Sequence, residues 1–327
     1  MTAITLSRAL NEGLRKALEN NPKALIMGED VGRLGGVFRV TDGLQKDFGE
    51  ARVMDTPLAE SGIVGTAIGL ALRGYRPICE IQFDGFVFPA FDQIVTQLAK
   101  MRYRSRGSLR LPLVIRIPFG GGIGAVEHHS ESPEALFVHT PGLRVISCGG
   151  PADGFTMIQQ AAECDDPVLF FEPKRRYWDK EDVNIEVGLA GALPMDSARI
   201  LVPGNDVTVL CYGPMVRTCA EAAVAASADG RSIEVIDLRS LAPLDTDAIF
   251  ASVRKTGRCV VVHEAVVNGG IGAEIAARVS QECFYQLESP VLRVGAPTTP
   301  YPPSRIEEHY LPDLDRVLDA VDRTFGY

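Results

Sequence analysis

Short apolar runs that do not alternate with polar residues recur along this chain, and they restrict its fold more than any other feature. Ala24–Gly28, Ile78–Phe83, Leu113–Ile117, Leu143–Ser147 and Val168–Phe171 are rich in Val, Ile, Leu and Phe. A strand with one wet face alternates; a strand covered on both faces does not. Helical patterns lie between the runs. Leu10, Leu14 and Leu18 share one face, and Ser7 is placed to cap that helix. Phe91, Ile94, Val95, Leu98 and Met101 follow the spacing of a second helix stripe. Doubly covered strands joined by helices predict a parallel, doubly wound α/β arrangement.

The pattern then stops and starts again. No period is sustained from Tyr177 to Asp196, after which Val207–Tyr212, Ile233–Leu238, Cys259–His263 and Val291–Val294 read as strands once more. The expectation is two doubly wound α/β domains, 1–178 and 197–327, joined by a linker over 179–196. A length of 327 residues suits two domains, and 46% hydrophobic residues suffice for their cores. The net charge of −9 argues against a nucleic-acid binder. Seven cysteines without a C-x-x-C pair suggest reduced thiols, not a disulfide framework or a zinc site. No apolar stretch approaches the roughly 20 residues of a membrane span. The first residues, MTAITLSRALNEGLRKAL, lack a secretory core and the look of an organelle presequence, so the cytoplasm is expected.

Several clusters could carry chemistry. The pattern at Leu58–Leu72 holds Ser61, Gly62, Gly65, Thr66, Ala67, Gly69 and Ala71. Glycine inside a helix costs about 1 kcal/mol against alanine, so something packs close: a neighbouring element, a subunit or a ligand. In DTPLAE (55–60), Asp55 or Thr56 can cap and Pro57 suits the first helical position. Glu60 is then either a carboxylate favoured by the helix dipole or one aimed into the cleft at the strand ends. GGGIGA (120–125) fits a dinucleotide fingerprint formally, but no acid ends a strand about 20 residues on. A loop that lets backbone approach closely is the better reading. In EHHSE (127–131), adjacent His128 and His129 point apart, which makes them poor joint metal ligands even with Glu127 and Glu131. A plain surface loop, or one imidazole exchanging protons near neutral pH, remains open. Phe83, Phe86, Phe88 and Phe91 read mostly as core, although one could stack on a flat heterocycle. Lys100, Arg102, Arg104, Arg106 and Arg110 form a basic run in an acidic chain, read as a strip for docking a partner.

Taken together, GEDVGRLGGVFRVTDGL (28–44), RVMDTPLAESGIVGTAIGLAL (52–72), EIQFDGFVFPAFDQI (80–94), HSESPEALFVHTPGL (129–143) and DPVLFFEPK (166–174) resemble the β subunit of thiamine-diphosphate-dependent 2-oxo acid dehydrogenases, the E1 component. EVIDLRSLAPLD (234–245) and TGRCVVVHEA (256–265) extend the likeness over nearly the whole chain. The resemblance implies a pyrimidine-binding transketolase-type domain followed by a transketolase C-terminal domain. It implies a cofactor shared with an α subunit in an α2β2 tetramer, the α chain holding the diphosphate and Mg²⁺ through GDG…NN. This sequence has no GDG. The resemblance further implies that Glu60 meets N1′ of the aminopyrimidine, so that the 4′ nitrogen can take the C2 proton. Phe86 would stack on the pyrimidine, Leu58 and Gln82 would line it, and His129 would serve acyl transfer to the lipoyl group of an E2 acyltransferase. His128 would at most support. The carbonyls of Leu113, Ala161, Cys164 and Asp166 would bind a structural K⁺. Branched-chain 2-oxo acids are the favoured substrates, with pyruvate or acetoin as alternatives. A non-catalytic docking subunit and a stand-alone nicotinamide dehydrogenase are the competing classes.

Overall fold

A computed structural model describes residues 2–327, in which two parallel sheets each carry helices on their faces. The chain opens with β1 (Thr2–Thr5), whose last residue caps α1 (Leu6–Asn20): Thr5 Oγ1 accepts from Arg8 N at 3.2 Å. Ser7, expected at this cap, is instead buried inside the first turn, because pairing of β1 keeps Thr5 extended as an N-cap must be. Leu6, Leu10, Leu14 and Leu18 form the buried stripe.

The first sheet is built from β2 (Ala24–Gly28), β3 (Val53–Asp55), β4 (Arg76–Glu80), β5 (Val114–Phe119), β6 (Arg144–Ser147) and β7 (Val168–Pro173). Its helices are α2 (Leu44–Phe48), α3 (Glu60–Leu72), α4 (Ala99–Arg104), α5 (Glu134–Val138) and α6 (Pro151–Glu163). Gly13 lets α1 lie against α6; a Cβ there would stand 2.3 Å from Ile158 Cγ2. The single helix expected around Phe91–Met101 is three pieces. A 3₁₀ stretch (Asp84–Ala90) containing Pro89 leads into a π-helical stretch (Gln93–Leu98), and only then into α4. The wider π turn still buries Ile94 and Leu98, so the stripe survives a change of helix type.

The linker region is ordered. β8 (Lys180–Val183) pairs antiparallel with β1, so the segment before the second half is tied to the N-terminus. With Lys180, Glu181 and Asp182 exposed, it has no apolar signature. The second sheet runs β14-β13-β10-β11-β9, with β9 (Arg199–Val202), β10 (Val207–Cys211), β11 (Ile233–Asp237), β13 (Cys259–Val266) and β14 (Leu292–Ala296). All neighbours are parallel except β9 on β11. Around it lie α7 (Met215–Ala228), α8 (Thr246–Thr256), α9 (Ile271–Glu282), α10 (Glu307–Tyr310) and α11 (Leu314–Arg323).

The two halves do not separate cleanly. β12 (Ser240–Ala242), from the second half, adds antiparallel to β6, so the first sheet runs β12-β6-β7-β5-β4-β2-β3. Buried Arg239 anchors this crossing, donating from Nε to Asp153 Oδ1 at 3.0 Å and from Nη1 to the Pro194 and Ser197 carbonyls at 2.7 Å each. One apolar cluster joins Ile115, Phe119 and Phe171 of the first half to Leu210, Tyr212 and Leu241 of the second. All seven cysteines are free. Among the described residues no helix is long and apolar enough to cross a membrane.

Candidate active site

The first sheet fixes where a site can form. The chain leaves β2 for β3 on one side and returns to β4 on the other, so β2 and β4 flank a switch point, where open α/β sheets take ligands at their C-terminal ends. Glu29 and Asp30 follow β2, Glu60 follows β3, Gln82 and Phe83 follow β4, and the 120–131 loop follows β5.

Neither Asp55 nor Thr56 caps α3, and Pro57 precedes the helix. Asp55 Oδ1 accepts instead from Gly32 N at 2.6 Å, and Thr56 N donates to Gly28 O at 2.9 Å, stitching the β3 exit to the β2 exit. The helix therefore starts at Glu60, whose carboxylate meets the positive end of the helix dipole and is 6% exposed. Glu29 lies close to it. Burial raises its pKa, and the charges of Glu60, Asp30 and Glu80 raise it further. Glu29 Oε1 is buried without a hydrogen-bond partner. Gln82 Nε2 donates to the Glu29 carbonyl at 3.4 Å and to Asp30 Oδ2 at 3.2 Å, tying the β4 exit to the same loop. Leu58 is 79% exposed at this edge.

His129 closes the other side. It lies in a 3₁₀ turn (Glu127–His129), 4.3 Å between ring centroids from Phe83 and 5.1 Å from Phe86. Burial pushes its pKa down, aided by His128 and Lys174 and opposed by Glu127. Its Nδ1 is buried and unpaired. His128 faces outward, its Nδ1 4.0 Å from Glu127 Oε1. No group of three or more His, Cys, Asp or Glu among the described residues could hold a metal, which leaves the metal reading of this loop unsupported.

A charged layer lies beneath. Fully buried Arg116 donates from Nη1 to Glu80 Oε2 at 2.6 Å, from Nε to Glu172 Oε1 at 2.7 Å and from Nη2 to Glu172 Oε2 at 2.8 Å. Tyr177 O–H donates to Glu172 Oε2 at 2.6 Å. Lys174 pairs with Asp84, and neither side chain is exposed. Burial lifts Asp84 to about 6, against the lowering effect of Lys174.

The glycines of 120–125 serve the contact between halves. Gly121 N donates to Glu264 Oε1, and a Cβ there would stand 1.9 Å from Tyr301 Oη. Gly120, Gly122 and Gly124 all have positive φ. Glu134 and Tyr212 meet at the same seam, and burial lifts Glu134 to about 7, with Tyr212 opposing. The basic run is partly spent within the chain: Arg102 pairs with Asp166, Arg110 Nη1 with Asp165 Oδ2 at 2.8 Å, and Lys100 Nζ donates to Pro141 O at 3.0 Å. Lys100, Arg102, Arg104, Arg106 and Arg144 also line one groove.

The positions assigned to K⁺ form one corner. Leu113 O accepts from Val168 N at 2.9 Å, Ala161 O from Cys164 N at 3.2 Å, and Cys164 O from Arg76 Nη1 at 3.0 Å. The carbonyls here already draw in one cation, the Arg76 guanidinium, which also reaches Ala162 O at 3.1 Å.

Glu60, Gln82, Phe86 and His129 thus come from the exits of β3, β4 and β5, with β2 lying between β3 and β4 and Leu58 exposed at the rim. The sequence reading missed Glu29, Asp84 and Lys174. Glu29 had a signal, an acid directly after an apolar strand. Lys174 had none, since its partner is 90 residues away. A buried carboxylate, a second unpaired acid and an imidazole set edge-on to two phenyl rings suit proton transfer to and from a flat, polar heterocycle.

Comparison with known proteins shows the family. Residues 2–179 match the transketolase pyrimidine-binding domain and residues 196–317 the transketolase C-terminal domain. A pyruvate dehydrogenase E1 component subunit beta from Leifsonia xyli is 57% identical, over 99% of this chain and 96% of its own length. A 3-methyl-2-oxobutanoate dehydrogenase subunit beta from Mycobacterium tuberculosis is 51% identical over 98% and 92%. A pyruvate dehydrogenase E1 component subunit beta from Staphylococcus aureus is 43% identical over the whole of both chains. Among solved structures, a split-gene transketolase described as an inactive beta4 tetramer superposes with a TM-score of 0.79 at 25% identity, covering 99% of this chain and 98% of that one.

Proposed function

From the premise that this chain belongs to the β subunits of 2-oxo acid dehydrogenase E1 components, a thiamine-diphosphate-using family, we propose that Glu60 is the carboxylate that serves the cofactor's aminopyrimidine and that His129 serves the later acyl transfer. The carrying observation is the placement of Glu60: buried at the N-terminus of α3, beside the unpaired Glu29 Oε1, at the switch point of the sheet. Orphaned buried polar atoms on Glu29 and His129 suit a cleft completed by a polar heterocycle.

When bound, thiamine diphosphate supplies a nucleophilic carbon and an electron sink for decarboxylating a 2-oxo acid. The protein's part is to hold and move protons. Glu60 shares a proton with the pyrimidine ring nitrogen, Phe86 offers a face for the ring, and Leu58 and Gln82 border it. The diphosphate and Mg²⁺ belong to the α subunit of an α/β heterotetramer, and the acyl acceptor is a lipoyl-bearing E2. Absence of a GDG motif here supports that division. Branched-chain 2-oxo acids are the proposed substrates, on the HSESPEA and FFEPK segments. The pyruvate-named relative at 57% identity favours the second reading, pyruvate. The cytoplasm is the proposed location.

Glu60→Gln tests the central assignment. In the reconstituted heterotetramer, hydrogen–deuterium exchange at cofactor C2 should fall by about 10²–10⁴-fold while assembly is retained. Exchange close to wild type in an assembled variant removes Glu60 from the role. We also propose K⁺ at the carbonyls of Leu113, Ala161, Cys164 and Asp166. A higher melting temperature in KCl than in NaCl of equal ionic strength is expected, and identical melting in the two salts rejects it.

A further inference from the structure

We propose that the buried Asp84–Lys174 ion pair is a positioning device for His129, gripping the 127–131 turn by its backbone from both sides. The inference rests on the reading of His129 given above. Strand order explains how the grip arises. β5 lies between β4 and β7, and the loop carrying His129 follows β5. Asp84 opens the 3₁₀ stretch that follows β4, and Lys174 stands directly after β7. The pair therefore closes across the path of the loop.

Each partner then spends a second interaction on that loop. Lys174 Nζ donates to the His129 carbonyl, while Glu131 N donates to Asp84 Oδ2 at 2.8 Å. Gly120 N donates to Glu131 O at 2.9 Å, which ties the far end of the turn to the exit of β5. The ammonium also lies 5.3 Å from the centroid of the Phe83 ring, the ring packed on His129. Gly85 completes the fit: a Cβ there would stand 2.3 Å from the His128 carbonyl. Backbone bonds on either side of the imidazole, and a ring against its face, fix where it points without touching its nitrogens.

Stability alone does not account for the pair. Both side chains are wholly buried, and replacing such a pair with apolar groups is often neutral or stabilising. Grip on the turn is a use that apolar groups could not fill, because they offer neither a donor to His129 O nor an acceptor to Glu131 N.

Single variants leave a lone buried charge, so the decisive variant is the double Asp84→Leu with Lys174→Met, which removes both the acceptor and the donor, assembled with the α subunit and thiamine diphosphate. Two half-reactions are measured on one preparation: decarboxylation with an artificial electron acceptor, and reductive acylation of a lipoyl domain. Acylation should fall about tenfold or more from misplacement of the imidazole, with decarboxylation kept. Amide exchange across 127–132, followed by mass spectrometry, should speed up about tenfold. Adding the double substitution to His129→Ala should cost acylation nothing further, since the pair acts through His129. Unchanged acylation with protected amides overturns the proposal, as do equal losses in both half-reactions, an additive loss on His129→Ala, or failure to assemble. If His129→Ala itself leaves acylation intact, the reading of His129 fails, and amide exchange alone still decides whether the pair grips the turn.

Discussion

At the residue scale, His129 shows how the same side chain reads differently once its neighbours are known. On sequence it was one of two adjacent imidazoles in a polar loop. In the fold, burial, His128 and Lys174 push its pKa below the ordinary value, which favours the neutral ring. If its charged form donates the proton that opens the lipoyl dithiolane, acyl transfer is greatest below that depressed pKa and declines as pH rises through it. His129→Ala should remove this limb and lower lipoyl-domain acylation by about 10²-fold or more, while dye-linked decarboxylation survives in large part. His128→Ala, on an outward-facing ring, should change both far less. A pH profile that keeps its limb without His129 assigns the titration to another group. Glu60 was legible because its neighbours in sequence define a strand exit and a helix start. Glu29 was only half legible: its position could be read, but not that burial would leave one oxygen unpaired.

Elements depend on close approaches that the chain records as glycines. Gly13 faces Phe155 and Ile158 of α6, with a virtual Cβ 2.8 Å from the Phe155 carbonyl. Gly13→Ala should therefore force α1 and α6 apart, and overpacking of this kind costs about 1–3 kcal/mol. Chemical denaturation of the assembled protein measures it; a variant as stable as wild type means the helices shift apart freely. The hydrophobic runs located the buried strands to within a few residues because doubly covered strands must be apolar. They did not reveal β8 or β9, which lie in a two-stranded ribbon and at a sheet edge and are only partly covered, nor β12, which is largely buried but spans only three residues. Apolar spacing likewise placed the right residues inward between Phe91 and Met101. It could not tell an α-helix from the π turn there, because Ile94 and Leu98 are buried in either.

For the whole molecule, the cleft is formed by strand exits of one half, and its rim is left uncovered, with Leu58 79% exposed and Phe88 46% exposed. An open rim and the missing diphosphate motif predict that this chain alone does not decarboxylate 2-oxo acids. Joined with an α subunit, thiamine diphosphate and Mg²⁺, it should do so. The same assay ranks substrates, with kcat/KM expected to be higher for 3-methyl-2-oxobutanoate than for pyruvate; the reverse order selects the pyruvate reading. Robust turnover by the lone chain would contradict the half-site. The halves are bound by β12, by the buried Arg239 and by a shared apolar cluster, so they should move as one body.

By itself the sequence determined that the chain forms parallel α/β layers in two halves, because strands buried on both faces leave an unbroken apolar trace and local turn chemistry marks where each ends. It also singled out the segments proposed to face a ligand, since those lie directly after strands. The tertiary structure alone decided how the halves are joined and how the site is held. Arg116 with Glu80 and Glu172, Lys174 with Asp84, and Gly121 with Glu264 join residues 36 to 143 positions apart. Such pairs leave no periodicity in the chain, and a charge is stable in the interior only after folding has brought its counter-charge to it.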